Sequence, residues 1–120
     1  MVVTVLTSHD EATWADVVGR PGSSLGAEAG RLAARAMAAG LDGVVSSPLE
    51  TAALRAALGP AALLVTPGIR GAGDPPGDQA RTATAAAAVE AGSTHLVVGR
   101  PVLGADDPGA ACRALVRQLR

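Results

Sequence analysis

LLVTPGIR at positions 63–70 opens the stretch that decides the fold of this chain, and LVVGRP at 96–101 closes it. Each segment is an apolar strand that ends at an arginine, Arg70 or Arg100, and an alanine-rich helical run at 84–91 lies between them. In parallel α/β folds, ligands bind at the C-terminal ends of the strands. Two guanidiniums and the amide of Gly99 at such an edge match the oxygens of a phosphate. The stretch therefore predicts a βαβ unit that carries a phosphate site.

The segments before and after this stretch continue the alternation of strand and helix. Strands are predicted at 2–6 and 41–46, and helices at 10–18, from Ser23 or Ser24 to 39, at 47–59 and at 109–119. Ser47, Pro48 and Glu50 form a capping-box start for the helix at 47–59. The order β-α-β-α-β-α-β-α gives four βα units, half of an eight-unit barrel of ~250 residues. We therefore predict an α/β half TIM barrel in which residues 1–120 form one domain.

The composition excludes several classes of function. A net charge of -1 gives no basic field for nucleic acid, and one tryptophan without Phe or Tyr leaves no platform for base stacking. No apolar run reaches the roughly 18 residues of a membrane-spanning helix, and the N-terminus lacks the positive segment of a signal peptide. The single cysteine, Cys112, fits a reducing compartment and is expected to be a buried, inert thiol. We expect a cytoplasmic protein with neither a membrane nor a nucleic-acid partner.

Other candidate motifs in the chain indicate no chemistry. The GAG sequence at 71–73 is not a dinucleotide fingerprint, because no helix opens directly after it. The TSHD sequence at 7–10 is not a hydrolase triad, because four consecutive side chains cannot meet at one reacting atom. Arg81 is interpreted as a surface or loop-anchoring residue, and His9 as an ordinary loop residue.

Five segments, in order along the chain, resemble the C-terminal half of orotidine 5'-monophosphate decarboxylase. They are VTVLTS (3–8), GLDGVVS (40–46), LVTPGIR (64–70), GDQ (77–79) and VVGRP (97–101). The resemblance implies a TIM barrel, normally dimeric, that converts orotidine monophosphate (OMP) to uridine monophosphate (UMP) without metal or cofactor. It implies that Arg70 and Arg100 bind the phosphate together with the Gly99 amide. It also implies that Gln79 bridges phosphate and pyrimidine, and that Thr7 lies at the pyrimidine and ribose end.

The chain departs from this family in its chemistry. The resemblance places the catalytic Lys/Asp array in the first half of the barrel, and this chain contains no lysine at all. All ten basic residues are arginine, whose very high pKa prevents it from acting as a general acid near pH 7. We therefore assign no catalytic residue. Three functions stay open: a phosphate-binding half without catalysis, half of a split decarboxylase that needs a separate N-terminal chain, or a purely structural half-barrel.

A half-barrel also predicts an unusual surface. Helices on one side of four parallel strands leave the inner sheet face bare and the first and fourth strands as open edges. The residues expected on that bare face include Val3, Val5, Val44, Leu64 and Val97. A second copy about a two-fold axis would cover the face and close an eight-stranded barrel with two phosphate sites. Face-to-face stacking of two open sheets is the alternative.

Overall fold

A computed structural model of the chain describes residues 1–22, 24–71 and 80–119. Within these ranges four parallel strands alternate with helices, as predicted, and they form one sheet in the order β1-β2-β3-β4. The strands are β1 (Val2–Val3), β2 (Gly43–Val45), β3 (Leu63–Thr66) and β4 (His95–Leu96). The helices are α1 (Glu11–Val18), α2 (Leu25–Ala38), α3 (Thr51–Leu58), α4 (Ala85–Glu90), α5 (Arg100–Leu103) and α6 (Pro108–Gln118).

Several element boundaries differ from the prediction. The strands are shorter than expected, although pairing continues past β1, where the amide of Thr4 donates to the carbonyl of Val45 at 3.0 Å. Helix α3 begins at Thr51, because the predicted start at Ser47 is a separate turn that precedes the helix. Helix α5 was not predicted; it follows Gly99 directly and has a proline in its first turn, where the missing amide costs no hydrogen bond.

The helices cover one face of the sheet. Val44 and Leu64 are 0% exposed and pack in one cluster with Ala33 and Leu54 of the flanking helices. The expectation that Val44 and Leu64 lie on the bare face is therefore wrong. Strand register explains the error, since alternate side chains point to opposite faces and these two belong to the helix-covered set. Val5 is likewise buried, against Leu25 and Ala29.

The other face of the sheet is open. One row of residues in register across the four strands consists of Val3, Val45, Val65 and His95. Each follows by one position the row that contains the buried Val44 and Leu64. Val3 is 48% exposed at the β1 edge, and Val97, just after β4, is 50% exposed. The molecule is only 18 Å across its shortest axis, which fits one helix layer on one sheet. The prediction of an uncovered aliphatic face is thus confirmed for Val3 and Val97.

Arg55 connects three chain segments at the N-terminal edge of the sheet. Its Nη1 donates to the carbonyls of Gly59 at 2.7 Å and Ala62 at 2.9 Å. Its Nε and Nη2 both donate to the carbonyl of Gly92, at 3.1 and 2.8 Å. One guanidinium thus ties the end of α3 to the segments that lead into β3 and β4. In βα barrels this edge serves stability.

Arg55→Met is expected to destabilise the fold by about 2–4 kcal/mol, because hydrogen bonds to charged groups contribute about 1.5–3 kcal/mol and the three carbonyls lose their donor. Methionine keeps helix propensity close to that of arginine. Arg35→Met is the matched control, since Arg35 is exposed in the last turn of α2. Urea unfolding measures both variants, and equal losses would contradict a specific role for Arg55.

Cys112 does not fit its prediction. The thiol belongs to an exposed residue, because α6 has no buried residue and packs against the body of the protein through partly buried side chains such as Leu115. No helix in the described ranges has both the length and the apolar character to cross a bilayer.

Candidate functional site

The C-terminal ends of β1, β3 and β4 meet around one cleft of about 180 Å³. Among the described residues, its lining includes both predicted phosphate-binding arginines. The lining residues are Thr7, Pro67, Gly68, Arg70, Val97, Gly99 and Arg100. Two guanidiniums at a partly apolar opening suit an anion.

The turn after β3 holds Arg70 in place. Gly68 has φ 79°, a left-handed conformation that glycine adopts without strain. Its carbonyl accepts from the Ala83 amide at 3.2 Å, and the Arg70 amide donates to the Ala83 carbonyl at 2.9 Å. Between them Ile69 is 0% exposed and pairs with Ala83 in an isolated parallel bridge. The backbone of Arg70 is therefore fixed, while its Nη1 donates to the Ile69 carbonyl at 2.7 Å.

The segment after β4 brings the second arginine to the cleft. The Val97 amide donates to the Thr66 carbonyl at 2.9 Å and extends the strand pairing toward the cleft. The Gly99 carbonyl then accepts from the amides of Val102 and Leu103, both at 3.0 Å, and α5 begins at Arg100. A Cβ added at Gly99 would meet no described atom within 4 Å, so the backbone there faces open space. Arg100 is exposed beside it.

Thr7 closes the β1 side of the cleft. The residue is 7% exposed, and its carbonyl accepts from the Ala80 amide at 3.1 Å. Ala80 is the first described residue after position 71. The end of β1 is thus joined directly to the segment that begins at Ala80.

Arg81 and Glu50 form a buried ion pair beside Thr7, and each side chain is only 7% exposed. Arg81 Nη2 also donates to the Leu6 carbonyl at 2.9 Å. Burial raises the pKa of the Glu50 carboxyl above its usual value, and the Arg81 guanidinium acts in the opposite direction. The interpretation of Arg81 as a loop anchor agrees with these contacts, but its alternative, a surface residue, is wrong. Pairing with Glu50 compensates part of the cost of burying the charge of Arg81.

The capping box predicted for Ser47 and Glu50 is present in part. Glu50 Oε2 accepts from the Ser47 amide at 3.2 Å, as expected. Ser47 Oγ accepts instead from the Leu49 amide at 3.1 Å. The capping pattern therefore predicted the contact of Glu50 with the Ser47 backbone. Nothing in the sequence pointed to its ion pair with Arg81, 31 residues away.

The structure brings together four of the five residues predicted to bind substrate: Thr7, Arg70, Gly99 and Arg100. The fifth, Gln79, lies outside the described residues, as do Gly77 and Asp78 of the same motif. Among residues 1–22, 24–71 and 80–119, no group of three or more His, Cys, Asp or Glu could hold a metal ion. At this cleft the described residues offer two guanidiniums and the backbone of Gly68 and Gly99.

Known proteins resemble this chain over nearly all of its length. The sequence profile of the orotidine 5'-phosphate decarboxylase / HUMPS family matches residues 1–115. Orotidine 5'-phosphate decarboxylase of Halorhodospira halophila is 54% identical over 119 residues, which are 98% of this chain and 49% of that protein. The enzyme of that name from Anaeromyxobacter sp. is also 54% identical over 119 residues, with 99% and 52% covered.

Solved structures agree with these relatives. Orotidine 5'-phosphate decarboxylase from Lactobacillus acidophilus superposes with a TM-score of 0.79 at 36% identity, over 99% of this chain and 48% of that one. The enzyme from Pyrococcus horikoshii superposes with a TM-score of 0.64 at 25% identity, over 84% of this chain and 47% of that one. The chain spans about half the length of the relatives it matches, in keeping with the half-barrel fold. By sequence and by fold, the chain belongs to the orotidine 5'-phosphate decarboxylase / HUMPS family.

Proposed function

We propose that this chain binds the phosphate group of a nucleotide monophosphate, OMP or UMP, and performs no catalysis by itself. The observation that carries the proposal is the convergence of Arg70, Arg100 and Gly99 on one cleft at the C-terminal edge of the sheet. Guanidiniums match phosphate oxygens in geometry and keep their charge at every physiological pH. Family membership supports the choice of ligand, since the relatives are named for a nucleotide phosphate substrate.

The size of the cleft favours the phosphate over the rest of the nucleotide. Pockets for drug-sized ligands span about 300–1,000 Å³, and this one is about 180 Å³. We propose that the phosphate binds between the two arginines and the Gly99 amide. Thr7 then lies toward the ribose and pyrimidine, and Gln79 keeps the bridging role that the family resemblance implies. The base and sugar require surface that a second half-barrel supplies.

Arg70→Ala and Arg100→Ala are each expected to weaken UMP binding about tenfold or more, because a hydrogen bond to a charged group contributes about 1.5–3 kcal/mol. Calorimetric titration measures the affinity. Inorganic phosphate serves as the second ligand, and its affinity is expected to fall in parallel, since both variants act on the phosphate group.

Arg35→Ala is the matched control for this titration, because Arg35 is exposed on α2 and does not line the cleft. Arg81→Ala was expected from the sequence to have little effect, but its buried ion pair makes it unsuitable as a control. Equal losses from Arg35, Arg70 and Arg100 would indicate general charge attraction and contradict a defined site.

We also propose that a second copy of the chain covers the open sheet face. The edges β1 and β4 are parallel, so a two-fold axis along the barrel pairs β4 of each copy with β1 of the other. The aliphatic faces then fill a shared interior, as side-chain layers do in closed barrels.

A separate N-terminal half-barrel that carries the Lys/Asp array is the alternative partner, and it would make the chain half of a pyrimidine-biosynthetic decarboxylase. Either assembly is proposed for the cytoplasm, where the lone thiol stays reduced.

A further inference from the structure

The buried pair of Glu50 and Arg81 lies next to the cleft without lining it. Both side chains are 7% exposed, and neither residue belongs to the cleft wall. Their contacts are to the backbone at the C-terminal ends of two strands. Arg81 Nη2 donates to the Leu6 carbonyl at 2.9 Å, after β1, and Glu50 Oε2 accepts from the Ser47 amide at 3.2 Å, after β2.

These contacts determine where Thr7 lies. Leu6 precedes Thr7, and the Ala80 amide that donates to the Thr7 carbonyl at 3.1 Å belongs to the residue before Arg81. One ion pair therefore holds both partners of the contact between Thr7 and Ala80. Without the Arg81 guanidinium, the segments that contain Leu6 and Ala80 would lose the donor that joins them to α3.

Stability alone is a weak reason for such a pair. Desolvation of two charges often cancels their attraction, so apolar side chains of similar volume are frequently as stabilising. An apolar pair, however, cannot donate to the Leu6 carbonyl or accept from the Ser47 amide. A guanidinium and a carboxylate satisfy the backbone groups of both strand ends at once.

We propose that Glu50 and Arg81 are positioning residues, which hold Thr7, a lining residue of the cleft, in contact with Ala80. The inference rests on the proposed function for its consequence in ligand binding, but the contact itself can be tested without any ligand.

Amide hydrogen exchange of Ala80, relative to that of Ser46, tests the proposal. The Ser46 amide donates to the Val65 carbonyl at 3.1 Å in the centre of the sheet and reports global opening. In Arg81→Met, exchange at Ala80 is expected to accelerate about a hundredfold relative to Ser46, equivalent to roughly 3 kcal/mol of local stability. Glu50→Gln keeps the shape of the side chain but removes its charge, and we expect about tenfold faster exchange at Ala80 relative to Ser46 in this variant.

Arg55→Met is the matched control, because Arg55 also donates to backbone carbonyls but at the opposite edge of the sheet. Its global destabilisation accelerates exchange at Ser46, so the ratio of Ala80 to Ser46 exchange is not expected to rise. Arg81→Lys keeps one charge without the planar fork, so partial rescue relative to Arg81→Met is expected. If Arg81→Met does not fold, Glu50→Gln and Arg81→Lys decide the question by the same ratio.

Unchanged exchange at Ala80, or equal acceleration at Ala80 and Ser46, would overturn the positioning role.

Titration with UMP and inorganic phosphate separates this inference from the proposed function. Weaker binding in Glu50→Gln, about threefold or more for the loss of part of a charged contact, is the expected result. Failure of the wild-type chain to bind either ligand rejects the proposed function, while the exchange ratio still decides the role of the pair.

Discussion

Incubation of this chain alone with OMP is expected to give no decarboxylation above the uncatalysed rate. Proton transfer to a carbanion at neutral pH needs a side chain that can release its proton there. The chain has no lysine, and arginine as a residue type is too weak an acid to supply a proton near pH 7. Loss of the orotate absorbance over time is the measurement.

The matched experiment adds an N-terminal half-barrel from a relative such as the Halorhodospira halophila enzyme, of which this chain covers 49%. Turnover that appears only in the mixture would identify the chain as half of a split decarboxylase. Arg100→Ala in the same mixture should lower that turnover, since it removes a phosphate contact. Turnover by the repurified chain alone would contradict the proposal of a non-catalytic half.

Val3→Asp is expected to convert a dimer into a monomer of 11.7 kDa. Val3 lies on β1, at one edge of the sheet, and is 48% exposed on the open face. In the proposed dimer this edge pairs with β4 of the second copy, so two symmetric carboxylates would enter the barrel interior without partners. A charge that points inward from an edge strand is a known barrier to pairing between sheets, and an unpaired buried charge costs several kcal/mol.

Val17→Asp provides the control for this change. Val17 is 65% exposed on α1, outside the sheet, and its variant is expected to remain a dimer. Sedimentation equilibrium at micromolar concentration gives the masses, and circular dichroism verifies that each variant is folded. A wild-type chain that sediments as a folded monomer would refute closure by a second copy, as would dissociation of both variants.

The fold was largely predictable from the sequence, because its signals are local. The apolar segments 63–66 and 43–45 and the turns at Gly40, Gly59 and Gly92 mark the βα alternation residue by residue. What the alternation did not reveal was which face each strand residue occupies. Val44 and Leu64 belong to nearly continuous apolar runs, which carry no period-two signal, so only the register of the sheet assigns them to the helix-covered side.

The candidate site was predictable to a lesser extent. Arg70, Gly99 and Arg100 follow strand ends, so topology alone brings them to one edge. Arg81 was harder to interpret, since its role depends on Glu50, 31 residues earlier, and on the Leu6 carbonyl, 75 residues earlier. Contacts over such separations leave no periodic pattern in the sequence. The exposure of Cys112 was mispredicted because the general burial tendency of cysteine ignores how loosely α6 packs.

The chain order of the strands has a consequence for folding. Each strand pairs with the one before it in the sequence, so the sheet can grow from any βα unit to its neighbour, much as repeat proteins do. The contact between Arg81 and Leu6 is different, because it closes a loop of 75 residues. Closing so long a loop carries an entropic penalty that grows with its length, and its gain comes only once β1, β2 and β3 are aligned. We therefore expect the contact between Arg81 and Leu6 to form after these three strands have paired.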